Sequence, residues 1–238
     1  MLIEDRLMKI DVLADSDVVA QEAARVIAEE ARAAVAARGS FALAVSGGHT
    51  PWIMLRALAR ENMPWESVHV MQVDERVAPA GHPDRNLTHL LESLLSYGAV
   101  RGEQIYPMPV EDADLERGAR QYATTMQEIV GVPPVLDLVH LGLGADGHTA
   151  SLVPGDAVLE VTDVDVSPTG MYQGRRRMTL TYPILNRARR ILWVVTGNEK
   201  REMFFRLRNG DPSIPAGRID RAQALLLADR AAAGESNS

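Results

Sequence analysis

The chain contains no cysteine among its 238 residues, which rules out disulfides, thiolate metal sites and a cysteine nucleophile. Nor does any apolar stretch approach the roughly 18 residues that a membrane-spanning helix requires. Basic residues are in deficit, and the formal net charge is -7. Such a balance argues against nonspecific nucleic-acid binding, so neither nucleic acid nor membrane is expected as a partner. An anionic ligand must instead be met by a local cluster of cations. The N-terminal stretch MLIEDRLMKIDVLADSD carries acids at Glu4, Asp5 and Asp11 and has no basic region ahead of an apolar block. It does not read as a secretory signal, and a cytoplasmic location is expected. Linker-like runs of Pro, Gly and Ser are missing, as are internal repeats. One domain over residues 1–233 is therefore expected, with GESNS (234–238) as a frayed tail.

What is present is ordinary for a globular protein, with 46% hydrophobic and 24% charged residues. An amphipathic stretch from Val18 to Arg38 has Ser16 or Asp17 as a candidate N-cap and Gly39 as a stop. Short apolar runs follow at 41–45, 68–73, 136–143, 191–195 and 224–228, with helix-like segments near 51–59, 86–96, 115–130 and 200–208 between them. Alternating strands and helices of this kind predict an α/β protein with a parallel sheet covered on both faces.

Ligands of such sheets bind beyond the carboxyl ends of the strands, so the residues after each run are read together. SGGHTP follows the first run, and Ser46, Gly47 and Gly48 there allow a tight turn whose amides suit a phosphate at the start of the next helix. The serine is not in a G-x-S-x-G elbow, which argues against a nucleophile. DERVAP follows the second run and places Asp74, Glu75 and Arg76 at a strand end.

GLGADGHTASLVPG (142–155) follows the third. Its first residues fit a dinucleotide-binding fingerprint, but Pro154 and Gly155 leave no room for the long helix such a loop needs. His148, with Asp146 two residues earlier, fits general acid–base work better. Of the other histidines, His140 lies within a strand and His69 begins one, while His49, His82 and His89 lack a carboxylate and glycine setting. No H-E-x-x-H or H-x-x-E-H pattern occurs, so no metal is implied. The fourth cluster is basic: Arg175, Arg176 and Arg177 enter a β-rich stretch, and Lys200 follows the fourth run. Alternation puts Arg177, Thr179 and Thr181 on one side, which favours Arg177 over Arg176 as an anion ligand.

Taken together these residues resemble the 6-phosphogluconolactonases, in the larger group that includes the glucosamine-6-phosphate deaminases. The resemblance runs through AVSGGHTP (44–51), QVDERVAP (72–79), Asn86, GLGADGHTASLVPG (142–155), RMTLT with Asn186, GNEKREM (197–203), SIPAGRI (213–219) and LLADRAAA (226–233). It implies a three-layer α/β/α fold of the deaminase and ribose-5-phosphate-isomerase type. It also implies hydrolysis of 6-phospho-D-glucono-1,5-lactone in the oxidative pentose phosphate pathway, with no cofactor. His148, Asp74 and Asp146 are then the catalytic candidates. Ser46, Gly47, Gly48, Thr50, Arg76, Asn86, Arg177 and Lys200 are the candidates for holding substrate and phosphate.

The chain departs from the family pattern at Val153, where phenylalanine is common, at Ser167-Pro168-Thr169-Gly170, where Lys-Pro-Pro is common, and at Arg85, where serine is usual. In the deaminase branch, Asp-Gly-His continues Ile-Ala-Phe-Asn-Glu-Pro. Here Thr-Ala-Ser-Leu-Val-Pro follows, without that acid. The alternatives to a lactonase are a sugar-phosphate isomerase or deaminase with Asp74 as a carbon base, and a noncatalytic sugar-phosphate sensor.

Overall fold

The computed structural model describes residues 8–97 and 99–235. The first seven residues of the stretch read above for a secretory signal, and the last three of the expected tail, lie outside them.

Among the described residues there are ten strands and seven α-helices, mostly alternating along the chain. The strands are β1 (Lys9–Leu13), β2 (Phe41–Val45), β3 (Val68–Gln72), β4 (Asp74–Arg76), β5 (Ile105–Tyr106), β6 (Leu138–Leu141), β7 (Val166–Pro168), β8 (Arg177–Leu180), β9 (Ile191–Val195) and β10 (Ala224–Asp229). The helices are α1 (Ser16–Arg38), α2 (His49–Leu58), α3 (Asn86–Leu94), α4 (Leu115–Val130), α5 (Tyr182–Arg187), α6 (Arg201–Arg208) and α7 (Arg230–Ala233). A seven-stranded sheet runs in the order β1-β10-β9-β6-β2-β3-β5, and every neighbouring pair in it is parallel. A small antiparallel sheet, β4-β8-β7, stands beside it.

The central strands are buried on both faces, which explains why they read as continuous apolar runs rather than as alternation. Their period of two shows in what each residue packs against. Phe41, Leu43 and Val45 of β2 join a core with α1, α2 and α3. Ala42 and Ala44 face the opposite core, made with α4, α6, α7 and the small sheet. The architecture is the α/β/α arrangement expected from the sequence.

Two features differ from that expectation for local reasons. Helix α1 is capped by Asp15, not by Ser16 or Asp17: its carboxylate accepts the amides of Asp17 and Val18 at 3.0 and 2.9 Å. Asp15 is the residue with extended backbone, φ -154°, as an N-cap must be. Gly39 ends the helix in the left-handed conformation, as expected. The run 68–73 also splits. Val73 donates its amide to the Val45 carbonyl, and its own carbonyl accepts the Leu180 amide, so the chain leaves the large sheet there and enters the small one.

Strand order reverses beside β2. From β2 the chain steps to β3 and β5 on one side, then returns through β6, β9, β10 on the other. The loops leaving β2 and β6 therefore diverge, and the crevice between them is where an open α/β sheet binds its ligand.

His140, in β6, is wholly buried and holds this crevice from below. Its Nδ1 accepts the Ser46 amide at 3.3 Å, and its carbonyl accepts the Ser46 hydroxyl at 3.0 Å. Burial pushes the imidazole down to about 3, so it is neutral in the folded chain. The unfolded chain takes up this proton near pH 6.5. Stability from this residue is thus full above pH 6.5 and declines as pH falls toward 3, by at most about 1.4 kcal/mol per pH unit. Urea denaturation of wild type and His140→Gln between pH 7 and 4.5 should show a slope shallower by about one proton in the variant. Identical slopes would contradict the assignment.

Candidate active site

The strand ends converge on a cleft of about 330 Å3. Every substrate-binding candidate lines it: Ser46, Gly47 and Gly48 from the β2–α2 turn, Thr50 from α2, Arg76 from β4, Asn86 from α3, Arg177 from β8 and Lys200. So do His148 and Asp74. Asp146 does not. It stands behind His148 and borders a neighbouring hollow with Tyr172 and Met171.

Helix α2 begins at the cleft, with Gly48 as N-cap and no side-chain cap on its first amides. Thr50 donates to or accepts from Thr196, the residue after β9, at 2.7 Å, tying this helix to the end of a strand two places from β2 in the sheet. Gly47 has to be glycine: a Cβ there would come within 2.0 Å of Asn86 Oδ1. Asn86 in turn donates through Nδ2 to the carbonyl of Asp74 at 3.0 Å and to its carboxylate at 3.3 Å.

Glu75, wholly buried, organises this wall. Its carboxylate accepts the amides of Arg76, Asn86 and Leu87 and the side chain of Gln72, all between 2.7 and 2.9 Å. Arg85 Nε lies 3.0 Å from it as a buried ion pair, without hydrogen-bond alignment. Arg85 also donates to the Ala78 carbonyl at 2.8 Å. The unusual arginine before Asn86 thus turns away from the cleft and leaves Asn86 facing it.

On the opposite wall, the loop 142–155 makes no helix after its glycines. There is accordingly no helix N-terminus for a pyrophosphate. The loop is pinned internally: Gly144 gives its amide to the His148 carbonyl at 2.8 Å, and Thr149 gives its hydroxyl to the Gly142 carbonyl at 2.9 Å. A Cβ on Gly144 would fall 2.0 Å from His148 Nδ1, so glycine admits the imidazole. That Nδ1 lies 2.5 Å from Asp146 Oδ1, and the same oxygen accepts the His148 amide at 3.1 Å. Burial alone raises the Asp146 carboxyl. The attraction of His148, its two hydrogen bonds and that of the Tyr172 hydroxyl outweigh burial and hold it below the ordinary carboxylate range. The aspartate is an anion beside the ring, which fixes the tautomer and orientation of the imidazole.

The expected alternation holds along β8 for Arg177 and Thr179, while Thr181 lies past its end as the N-cap of α5. Arg177 and Thr179 share a face, with Arg177 buried in the cleft. Arg175 pairs with Asp84 outside it at 2.6 Å, and Arg176 is exposed. Asp74 receives the Ser151 hydroxyl at 2.6 Å, and Arg177 stands 4.0 Å from it. Burial holds the Arg177 guanidinium below its ordinary value, with Asp74 opposing and Arg76 reinforcing. The Nε atoms of Arg177 and Arg76 are buried without a protein partner. Lys200 is carried by a turn whose Gly197 amide is held by Asp229 at 3.0 Å.

Several contributors carry weak sequence signals. Thr196 was findable as a residue following a strand, and Ser151 lies inside the 142–155 block. Tyr172, in an exposed turn, carried none. His49 proves to line the cleft, while His82 and His89 do have carboxylates nearby, Asp84 at 3.7 Å and Glu92 at 3.4 Å. Among the described residues no group of three or more histidines and acids gathers as a metal-ligand set.

A family model described as glucosamine-6-phosphate isomerases/6-phosphogluconolactonase matches residues 14–227. The chain belongs to this family. It is 38% identical to a 6-phosphogluconolactonase of Synechocystis over 196 residues, covering 81% of each chain. A 6-phosphogluconolactonase of Trypanosoma brucei superposes with a TM-score of 0.83 at 26% identity, covering 95% of this chain and 98% of that one. A monomeric glucosamine-6-phosphate deaminase superposes with a TM-score of 0.82 at 19% identity, covering 96% and 100%. Fold alone therefore does not separate the two branches of the glucosamine isomerase and phosphogluconolactonase family. Within that shared fold, this chain's cleft wall hangs on Glu75. Glu75→Gln leaves the buried Arg85 with only the exposed Glu111 carboxylate, 3.5 Å from Nη1, as counter-charge, and the broken pair costs up to about 3–5 kcal/mol. Equilibrium denaturation measures this, and a loss below about 1 kcal/mol would show that the pair does not organise the wall.

Proposed function

We propose that the protein hydrolyses 6-phospho-D-glucono-1,5-lactone to 6-phospho-D-gluconate, the lactonase step of the oxidative pentose phosphate pathway. The observation that carries this reading is the His148–Asp146 pair at one wall of a cleft whose other walls present Arg177, Lys200 and the open start of α2. Curated relatives named 6-phosphogluconolactonase support it.

In this reading the phosphate is held by the amides of Ser46, Gly47 and Gly48 together with Arg177 and Lys200, Thr50 steadying the helix start. Asp74, Arg76 and Asn86 meet the sugar hydroxyls and the reacting end. With Nδ1 engaged by Asp146, His148 Nε2 takes a proton from water as the water oxygen bonds to the lactone carbonyl carbon. The tetrahedral intermediate collapses with cleavage of the bond to the ring oxygen, which receives the proton back from His148. The product is an open-chain acid that ionises to the carboxylate. General acid–base work of this kind contributes about 10²–10⁴-fold. An ester carbonyl attacked by water needs no hydride carrier, and the mechanism uses no metal. A cytoplasmic setting, with the sugar-phosphate lactone as small-molecule partner, is part of the same reading.

The deaminase alternative lacks the acid that follows Asp-Gly-His in that branch, since residues 149–154 hold none. Freshly generated 6-phosphogluconolactone should disappear faster with the protein than without it, while glucosamine 6-phosphate releases no ammonia. Binding of the lactone without turnover would favour a sensor, and ammonia release would favour the deaminase. Dialysis against a chelator should leave the lactonase rate intact, and titration with NAD or NADP should show no specific binding. Loss of rate on chelation, restored by one metal, would overturn the mechanism.

A further inference from the structure

Tyr172 lies in the turn between β7 and β8, outside every sequence motif, and touches both halves of the site. Its hydroxyl donates to Asp146 Oδ2 at 3.0 Å, the oxygen that His148 does not use, and stands 3.5 Å from His148 Nδ1. Its ring meets the His148 imidazole edge to face at 5.4 Å between centroids. The Arg177 guanidinium sits over the face of the same ring, 4.9 Å from its centroid. The turn is closed by two main-chain hydrogen bonds between Tyr172 and Arg175. The next residue, Gln173, accepts from Arg177 at 3.4 Å.

We propose that Tyr172 is a positioning residue for the lactonase reaction, its hydroxyl holding the Asp146 carboxylate in line with His148 and its ring supporting the Arg177 guanidinium. The assignment rests on the roles given above to His148, Asp146 and Arg177. Oδ1 already holds the His148 amide and Nδ1, and the phenol on Oδ2 adds a further restraint on rotation of the carboxylate about its Cβ–Cγ bond. Burial and the Asp146 charge hold the phenol above its ordinary value, against the pull of Arg177, so it acts as the donor. Stacking on an aromatic face suits a planar guanidinium and fixes its direction. Arg177 Nε has no protein partner, which leaves that edge of the fork for an anion.

The two functions of the side chain separate by substitution. Tyr172→Phe keeps the ring and deletes the hydroxyl, which donates to Asp146, lies 3.5 Å from His148 Nδ1 and accepts from Gln173 Nε2 at 3.4 Å. Without that donor, the charge of the carboxylate acts more fully on the His148 ring. The other ionisable groups on the cleft walls are His49 of α2, Asp74 and Arg76 of β4, Arg177 of β8, and Glu199 and Lys200 after β9, and none of them is substituted. Tyr172→Ala removes the ring as well.

The test is the pH dependence of kcat and KM for lactone hydrolysis in wild type, Tyr172→Phe, Tyr172→Ala and His148→Ala, with thermal melts to verify folding. In Tyr172→Phe the acid limb of the kcat profile should move up by roughly half a pH unit, with KM unchanged. In Tyr172→Ala the same shift should come with a KM raised roughly three- to tenfold. A merely structural role would lower both melting temperatures without moving the acid limb or splitting KM from kcat. Profiles and KM values in both variants that superimpose on wild type, while His148→Ala is inactive, would overturn the role of Tyr172 and leave the catalytic reading standing. Full turnover in folded His148→Ala would overturn that reading itself.

Discussion

Strand order is the constraint on which the site depends. Strands β2 and β6 lie side by side, yet the chain leaves them toward opposite edges of the sheet. Their loops cannot pack against each other, and the gap between them opens at the positive end of α2 and below the glycine loop of His148. Residues distant in sequence meet there because parallel strands deliver their carboxyl ends to one edge. His140 in β6 holds Ser46 after β2 at the floor of this gap, so the two strands that part above are joined below.

The second organising feature is the passage from the large sheet to the small one at Val73. The crossing puts Asp74 and Arg76 in the cleft and turns Glu75 into the interior. A buried carboxylate is costly unless it is fully bonded, and Glu75 is hydrogen-bonded by three amides and an amide side chain and ion-paired with a guanidinium. Through those bonds it sets the start of α3 and hence the direction of Asn86. The same economy appears around the imidazole, where glycine at 144 makes room and Asp146 supplies the charge. Although the chain carries a net charge of -7, Arg76, Arg177 and Lys200 are gathered on one cleft, where low solvent access strengthens their pull on an anion.

Much of this was legible in the sequence because it rests on short-range rules. Continuous apolar runs at 41–45 and 191–195 marked strands buried on both faces, and the polar, glycine-rich residues after them marked the ligand edge. Period-two alternation correctly separated Arg177 from Arg176. What escaped depended on contacts between segments far apart. The edge strand β1 is only half-buried and showed no apolar run, and β5 has two residues. Asp15 became the cap of α1 through its own backbone angles, in competition with two equally suitable neighbours. Glu75 reads in sequence as one of two acids beside a guanidinium, because its buried partner Arg85 is ten residues further on. Tyr172 carried no signal because its position in the turn, not its neighbours in sequence, brings it to Asp146 and Arg177.

The central claim is a division of labour: one wall of the cleft activates water and the other anchors the phosphate. Steady-state kinetics of His148→Ala and Arg177→Ala on the lactone test it most directly. The account predicts that His148→Ala lowers kcat by roughly 10²–10⁴-fold with KM little changed. Arg177→Ala should chiefly raise KM, by the roughly 1.5–3 kcal/mol of a charge-assisted contact. A folded His148→Ala enzyme with near wild-type kcat, or an Arg177→Ala enzyme with unaltered KM, would contradict it.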